Sequence, residues 1–233
     1  MIVKLIGKTI PYSGETGLHF SGHMEARDRA SDICAEAASI CYNSEPSEKI
    51  VKGCIKTGHE SVIEHASFIF RIEGVSRALL AQLTRHRIAS FSVESQRYVQ
   101  YEDTPEWIIP PSIMEKGEYT VNGYKEYLDR IFNDYREIVD SGIPAEDARM
   151  ILPNAMPTNL IMTMNARELR HFLSLRMCNR AQWEIRAMAD EMYRILANDE
   201  PVLFGDAGCG CMRGSCPEGK RSCGHPRKKE DIL

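Results

Sequence analysis

ASFIFRIEGVSRALLAQLTRHR, residues 66–87, changes its hydrophobic period part-way along. Ala66, Phe68, Phe70 and Ile72 alternate with Ser67, Ile69 and Arg71, mostly the two-residue period of a strand with one buried face. After Gly74 the period lengthens, through Leu79 and Leu83 to Arg87, into that of an amphipathic helix. A strand that runs straight into a helix, with no Gly-rich phosphate fingerprint between them, points away from a dinucleotide-binding parallel sheet.

Working outward, MIVKLIGKTI (1–10) reads as a strand and 11–24 as a Gly/Ser/His loop. Residues 25–42 predict a helix carrying Ala30, Ile33, Ala37 and Ile40 near helical spacing. A second helix over 48–57 stops at Gly58. Downstream, 89–101 reads as extended or irregular and 105–111 as a Pro-rich loop or strand edge. The clearest element is a helix over 122–140, striped by Tyr124, Tyr127, Leu128, Ile131, Tyr135, Ile138 and Val139 and ended by SGIP. Pro144, Glu146 and Asp147 open a short helix that must stop before Pro153. Leu160–Met164 reads as a strand. Asn165 with Glu168 resembles a capping box for a helix over 166–177, and Asn179 with Gln182 the start of the last one. There Ile185, Met188, Met192, Ile195 and Leu196 supply the buried face. The expected architecture is α+β: one domain over 1–204, with a central, mainly antiparallel sheet packed by helices and no Rossmann unit, then a Gly/Cys-rich tail over 205–233.

Composition narrows the function. The 233 residues are 43% hydrophobic and 27% charged, ordinary for a globular protein that buries a core without staples. A net charge of -4 argues against a nucleic-acid coat and against binding to an anionic membrane surface. No apolar run is long enough to span a bilayer, and the N-terminus lacks the pattern of a signal peptide, so a cytoplasmic protein is expected. From Arg71 to Arg194 there are fourteen arginines and two lysines, Lys116 and Lys125. Arginine is the side chain of choice where planar anions are gripped by a fixed fork of donors, although lineage bias in codon use gives the same count.

RHRIASFSVESQRYV (85–99) concentrates that chemistry. Arg85 and Arg87 diverge by about 200° if they continue a helix of 3.6 residues per turn, so they reach anions on two sides. Ser90, Ser92 and Ser95 offer hydroxyls to phosphate oxygens, and Arg97 is a second clamp. Taken alone, the basic triplet is equally compatible with a solvated turn.

The whole pattern is more specific. RHR, seven residues and then Ser95 is the signature of flavin-dependent thymidylate synthases, and Arg97–Tyr98 extend the match. GHESVIEH (58–65), ARMILP (148–153), NAR (165–167) and LRMCNRAQWEI (175–185) also resemble that family, five blocks in family order over 58–185. The resemblance implies reductive methylation of dUMP to dTMP, with methylenetetrahydrofolate as carbon donor and FAD, reduced by NADPH, as hydride carrier. It also implies a homotetramer with shared active sites. Carried over position by position, Ser61, Arg85, His86, Arg87, Asn165, Arg167 and His171 would contact FAD. Gln82, Arg85, the stretch Val93, Glu94, Ser95, Gln96 and Arg97, then Arg149 and Arg176 would meet dUMP. The family often has a polar residue where this chain has Val93, so only a backbone contact could remain there. Arg176 matches the arginine that stabilises negative charge on the uracil ring.

Two features stand beside the resemblance. Arg176 continues the apolar face of Leu169, Phe172 and Leu173, a place where a cation at a helix C-terminus also snorkels without any function. In the tail, Cys209, Cys211, Cys216 and Cys223 can supply four thiolates to zinc, but C-x-C-x4-C-x6-C lacks paired CxxC knuckles, and a reduced, metal-free tail fits as well. RKK (227–229) reads as a solvated end. The other readings of the chain are a flavoprotein of this fold without synthase activity, and a zinc-containing nucleic-acid-binding protein using RHR and the tail.

Overall fold

The computed structural model describes residues 1–12 and 29–233. In chain order the elements are β1 (Ile2–Lys8), α1 (Ala30–Tyr42), α2 (Glu48–Thr57), β2 (Ser67–Ser76), α3 (Arg77–Leu83), β3 (Ala89–Val93), α4 (Pro111–Met114), α5 (Glu118–Asp140), α6 (Ala145–Ala148), β4 (Pro157–Asn165), α7 (Ala166–Arg176), α8 (Trp183–Asp199), α9 (Pro201–Phe204) and α10 (Gly210–Arg213). The strands form a single antiparallel sheet in the order β1-β2-β4-β3, which bears out the α+β reading. Two compact units divide the chain. The first comprises 1–2, 71–85 and 91–161, the second 3–70, 86–90 and 162–233.

The first unit is built on α5. Leu128, Phe132 and Tyr135 are buried against Trp107, Ala148 and Met156. The buried centre of the stripe lies on Leu128, Phe132 and Tyr135, while Tyr127 is exposed. Trp107 sits edge-on to Phe132 and donates its indole N–H to Asp129 Oδ1 at 2.6 Å, satisfying the polar end of a ring buried for its area.

In the second unit Phe68 of β2 packs edge-on to Phe204 at 5.3 Å, and α7 buries Leu169, Phe172 and Leu173. The first turn of α1 has no side-chain cap of its own; Arg29 stands at that position. Its orphan N–H groups are met instead by Glu200, fully buried, whose carboxylate accepts from Ala30 N at 2.7 Å and Ser31 N at 3.2 Å and from Lys8 Nζ at 2.9 Å.

Three expectations are corrected. Of the predicted helix 25–42, residues 25–28 lie outside the described residues, as does most of the 11–24 loop, and the helix begins at Ala30. The helix after Gly74 ends at Leu83, where Thr84 turns its hydroxyl back onto the Leu80 carbonyl; Arg85, His86 and Arg87 therefore follow the helix instead of riding on it. The divergence argued from helical geometry does not apply. The stretch read as extended or irregular is extended over its first five residues, β3, too few for alternation to stand out. At the last helix Gln182, not Asn179, is the cap, accepting from the N–H groups of Glu184 and Ile185, while Asn179 donates to the His225 carbonyl.

The tail packs on the second unit. Arg227 of the RKK run is not solvated: both its Nη atoms reach Asp190 at 2.8 Å, and Nη1 also meets the Met177 carbonyl. Ile232 is buried beyond it.

Candidate functional site

Within the second unit, α7 organises the chemistry. Asn165 caps its N-terminus, accepting from Glu168 N at 2.9 Å, and Ala166 N donates to the Ala66 carbonyl at 2.8 Å, so two of the first three N–H groups of the helix are already taken. In front of that end lies a cavity of about 580 Å³, within the range of small-molecule sites. Asn165, Arg167 and His171, three of the sequence-predicted flavin positions, line it. So do residues that the sequence reading did not assign to the site: Glu60, Glu64, Glu168 and Arg170, and Arg213 from the tail.

Charge in this cavity is largely compensated from within. Arg167 donates to Glu64 Oε1 at 2.5 Å and stands 3.9 Å from Glu60, and its hydrogen bond to Glu64 raises its pKa further. Arg170 is buried, held by the Leu203 carbonyl at 2.5 Å and by Asp206 at 2.7 Å. Burial works to raise the Asp206 pKa, but its bond to Arg170 outweighs that and holds the carboxyl below the usual range. Ser61 and Arg87 are exposed and outside the cavity lining.

His86 takes the opposite course from its two neighbours in RHR. It is buried, while Arg85 and Arg87 are exposed. Its Nδ1 lies 2.9 Å from Glu168 Oε1, and its Nε2 accepts from Arg176 Nε at 3.1 Å. Phe172 meets the ring edge-on at 5.1 Å and His171 at 6.0 Å. Burial pushes the imidazole pKa below its ordinary value; Glu168 pushes it back up, and Arg176 adds to the lowering. Arg176 is thus a bound, half-buried cation rather than a snorkelling one.

Arg176 also lines a second cavity, of about 490 Å³, with Arg180 and with Cys178, Cys209, Cys211 and Cys216. The two cavities share Ser174 and Arg213. Of the four tail cysteines proposed for zinc, the structure brings Cys209 and Cys211 together, Sγ to Sγ at 3.4 Å, whereas Cys223 turns to the His225 carbonyl. Burial, with Cys211 alongside, pushes the Cys209 thiol up to about 12, so it is held as a neutral thiol. Among the described residues His86, Glu168 and His171 each bring one possible ligand atom within 4.8 Å of the others, but both ring nitrogens of His86 are taken, by Glu168 and by the Arg176 N–H, so the trio is not a metal site.

The first unit holds most of the predicted nucleotide positions. Arg97 pairs with the Glu146 carboxylate at 2.9 Å and Arg149 donates to the Glu146 carbonyl at 3.0 Å, so one residue gathers both arginines. Ser95 Oγ accepts from Arg97 N at 3.2 Å, and Gln96 Nε2 is buried without a hydrogen-bond partner among the described residues. Gln82 donates to the Ala78 carbonyl. Val93 and Glu94 line a cavity of about 280 Å³. The Glu94 carboxylate is committed to the fold, accepting from Tyr101 at 2.9 Å and Asn159 at 2.8 Å. Burial, with Glu94 beside it, raises the Tyr101 pKa to about 12.

Comparison with known proteins gives the family of the chain. The family described as thymidylate synthase complementing protein matches residues 23–202. A flavin-dependent thymidylate synthase of Geobacter sulfurreducens is 48% identical over 82% of this chain and 87% of its own length. The enzyme of that name from Clostridium tetani is 39% identical over 90% and 94%, and that from Pyrococcus furiosus 42% over 73% and 73%. Among the described residues no helix is long and apolar enough to cross a membrane.

Proposed function

This chain belongs to the flavin-dependent thymidylate synthase family, and from that premise we propose how its residues divide the work of methylating dUMP to dTMP. The observation that carries the reading is the pair of adjoining cavities along α7. Asn165, Arg167 and His171 line the cavity at its start, Arg176 the one at its end, and Ser174 and Arg213 belong to both. About 16 Å of helix separates Asn165 from Arg176, so the two cavities together would leave room for an extended dinucleotide such as a flavin.

The residues fit the flavin. Arg167, at the start of α7, would offer donors to a pyrophosphate, with Arg213 within the same lining, provided Arg167 turns from Glu64. When bound and reduced by NADPH, the flavin supplies the hydride, and methylenetetrahydrofolate the carbon. Arg85, Ser95, Gln96, Arg97 and Arg149 bind dUMP, with the Gln96 amide a donor awaiting an acceptor. Arg176 is the catalytic residue: a fixed cation, held at a half-buried place, stabilises negative charge as the uracil ring becomes nucleophilic. Exposed Ile2 of β1 and Ile161 of β4, both in the first unit, are apolar side chains that further copies would cover in a homotetramer. The eight cysteines are free thiols, as suits the cytoplasm.

The test starts with flavin absorbance of the purified protein, then tritium release from dUMP labelled at C5, where the incoming carbon displaces the proton. Release that needs both methylenetetrahydrofolate and NADPH, and falls about 10²- to 10³-fold in Arg176→Ala, is expected. Bound flavin with undiminished release in Arg176→Ala would overturn the role assigned to that arginine.

A further inference from the structure

We propose that Glu168 is a positioning residue for the reaction, acting through His86 to fix Arg176. The proposal rests on the reading of Arg176 as the cation at the reacting end. Its ground is a chain of two hydrogen bonds with only one consistent placement of protons. Arg176 Nε can only donate, so His86 Nε2, 3.1 Å away, must present a lone pair. The neutral imidazole then carries its single proton on Nδ1, which donates to Glu168 Oε1 at 2.9 Å. Carboxylate, imidazole and guanidinium form one directed series.

Burial gives the series its force. Glu168 and His86 are 7% and 5% exposed, so neither can exchange its partner for water without opening the structure. Glu168 is held in turn by Asn165, whose side chain caps the same turn. Glu168 and Arg176 are eight residues apart on α7, and His86, from the connection between α3 and β3, bridges them. Phe172 closes one side of the ring. The charged and titratable groups that face His86 are Glu168, His171 and Arg176, all on α7. The nearby Glu60 and Glu64 of the 60–65 turn are directed to Arg167 and Arg170. A carboxylate that sets a tautomer and ring orientation controls whatever the other ring nitrogen holds. Here that is a guanidinium, whose plane and distance are fixed by a bond at Nε. Protonation of His86 removes the lone pair and sets imidazolium against guanidinium, releasing Arg176.

Two variants of the flavin-loaded enzyme separate this from a merely structural role. In Glu168→Gln the amide oxygen still accepts from Nδ1–H, but the charge that favours imidazolium is gone. Glu168→Leu has no acceptor. The pH profile of kcat, KM for dUMP, flavin content and the His86 titration by histidine-selective NMR are measured for both. Wild type is expected to lose kcat on the acid side as His86 protonates. In Glu168→Gln that limb and the NMR titration move together to lower pH. In Glu168→Leu kcat falls at least about tenfold at neutral pH, with KM and flavin content changed much less, and the Gln variant recovers most of it. An unmoved titration in Glu168→Gln, or wild-type kcat in Glu168→Leu, overturns the proposal. A titration that moves while the kcat limb stays overturns it differently: the hydrogen-bonded series stands, and the role of Arg176 in the reaction falls.

Discussion

Replacing Glu200 by alanine should destabilise the fold by about 3–5 kcal/mol, and the figure follows from the atoms left behind. The carboxylate is fully buried and serves three donors: Ala30 N, Ser31 N and Lys8 Nζ. Ala30 and Ser31 are themselves buried, so the two N–H groups at the start of α1 would lose their acceptor where water has poor access. Each costs about 1–3 kcal/mol when left unmade. Lys8 loses less, because Asp199 still accepts from it at 2.9 Å. Burial works to lower the Lys8 pKa, and the bonds to Glu200 and Asp199 more than reverse it, which marks the pair as favourable in place. Glu200→Gln retains one acceptor oxygen and should lose about half as much. Against a typical stability of about 5–15 kcal/mol, the alanine variant would be marginal at 37 °C, with a melting temperature lower by roughly 10 °C. Urea unfolding of both variants beside the parent gives the measurement, read as a shift in midpoint at unchanged slope. A loss under about 1 kcal/mol for alanine, or equal losses for the two variants, would refute the assignment of Glu200 as the cap of α1.

Two further outcomes follow from the second unit. Glu64→Gln removes the acidic partner that occupies Arg167 in the larger cavity, so an anionic flavin should bind more tightly, by several-fold at low salt and less at high salt; a flavin titration that shows weaker binding would contradict the assignment of Arg167 to the phosphates. Asp206 has a carboxyl pKa below its unfolded value, so its contribution to stability is present above about pH 4 and is lost as the pH falls through the folded value. Asp206→Asn should therefore melt below the parent at pH 7, with the gap closing on acidification; a gap constant from pH 7 to pH 3 would show that Arg170 does not depend on that charge.

How far the sequence reached depended on how local each determinant was. Periodicity found β2, α2, α5, α7 and α8 because each writes its buried face into its own residues: Leu169, Phe172 and Leu173 are buried as their spacing requires. It left β3 as part of an extended or irregular stretch and overran α3, since five residues carry little period and the end of a helix is set by what the next turn can bond. The tail defeated local reading too. Arg227 looks like one more basic residue near a chain end until Asp190, thirty-seven positions earlier, turns out to be its partner.

The candidate site divides in the same way. Sequence by itself determined the family, through RHR with Ser95, NAR and the Arg176 block, and through that resemblance nominated the residues proposed for the chemistry. It could not decide what each side chain does with its charge. Only the tertiary structure turned His86 inward while its neighbours stayed exposed, set Glu168 behind it and Arg176 before it, and spent Glu94 on Tyr101 and Asn159. It also brought Arg213 of the tail to both cavities. The physical reason is that hydrogen bonds and ion pairs of buried groups must be closed within the protein, and the partners that close them come from chain segments tens of residues apart. Local pattern names the donors and acceptors, and the fold decides their partners.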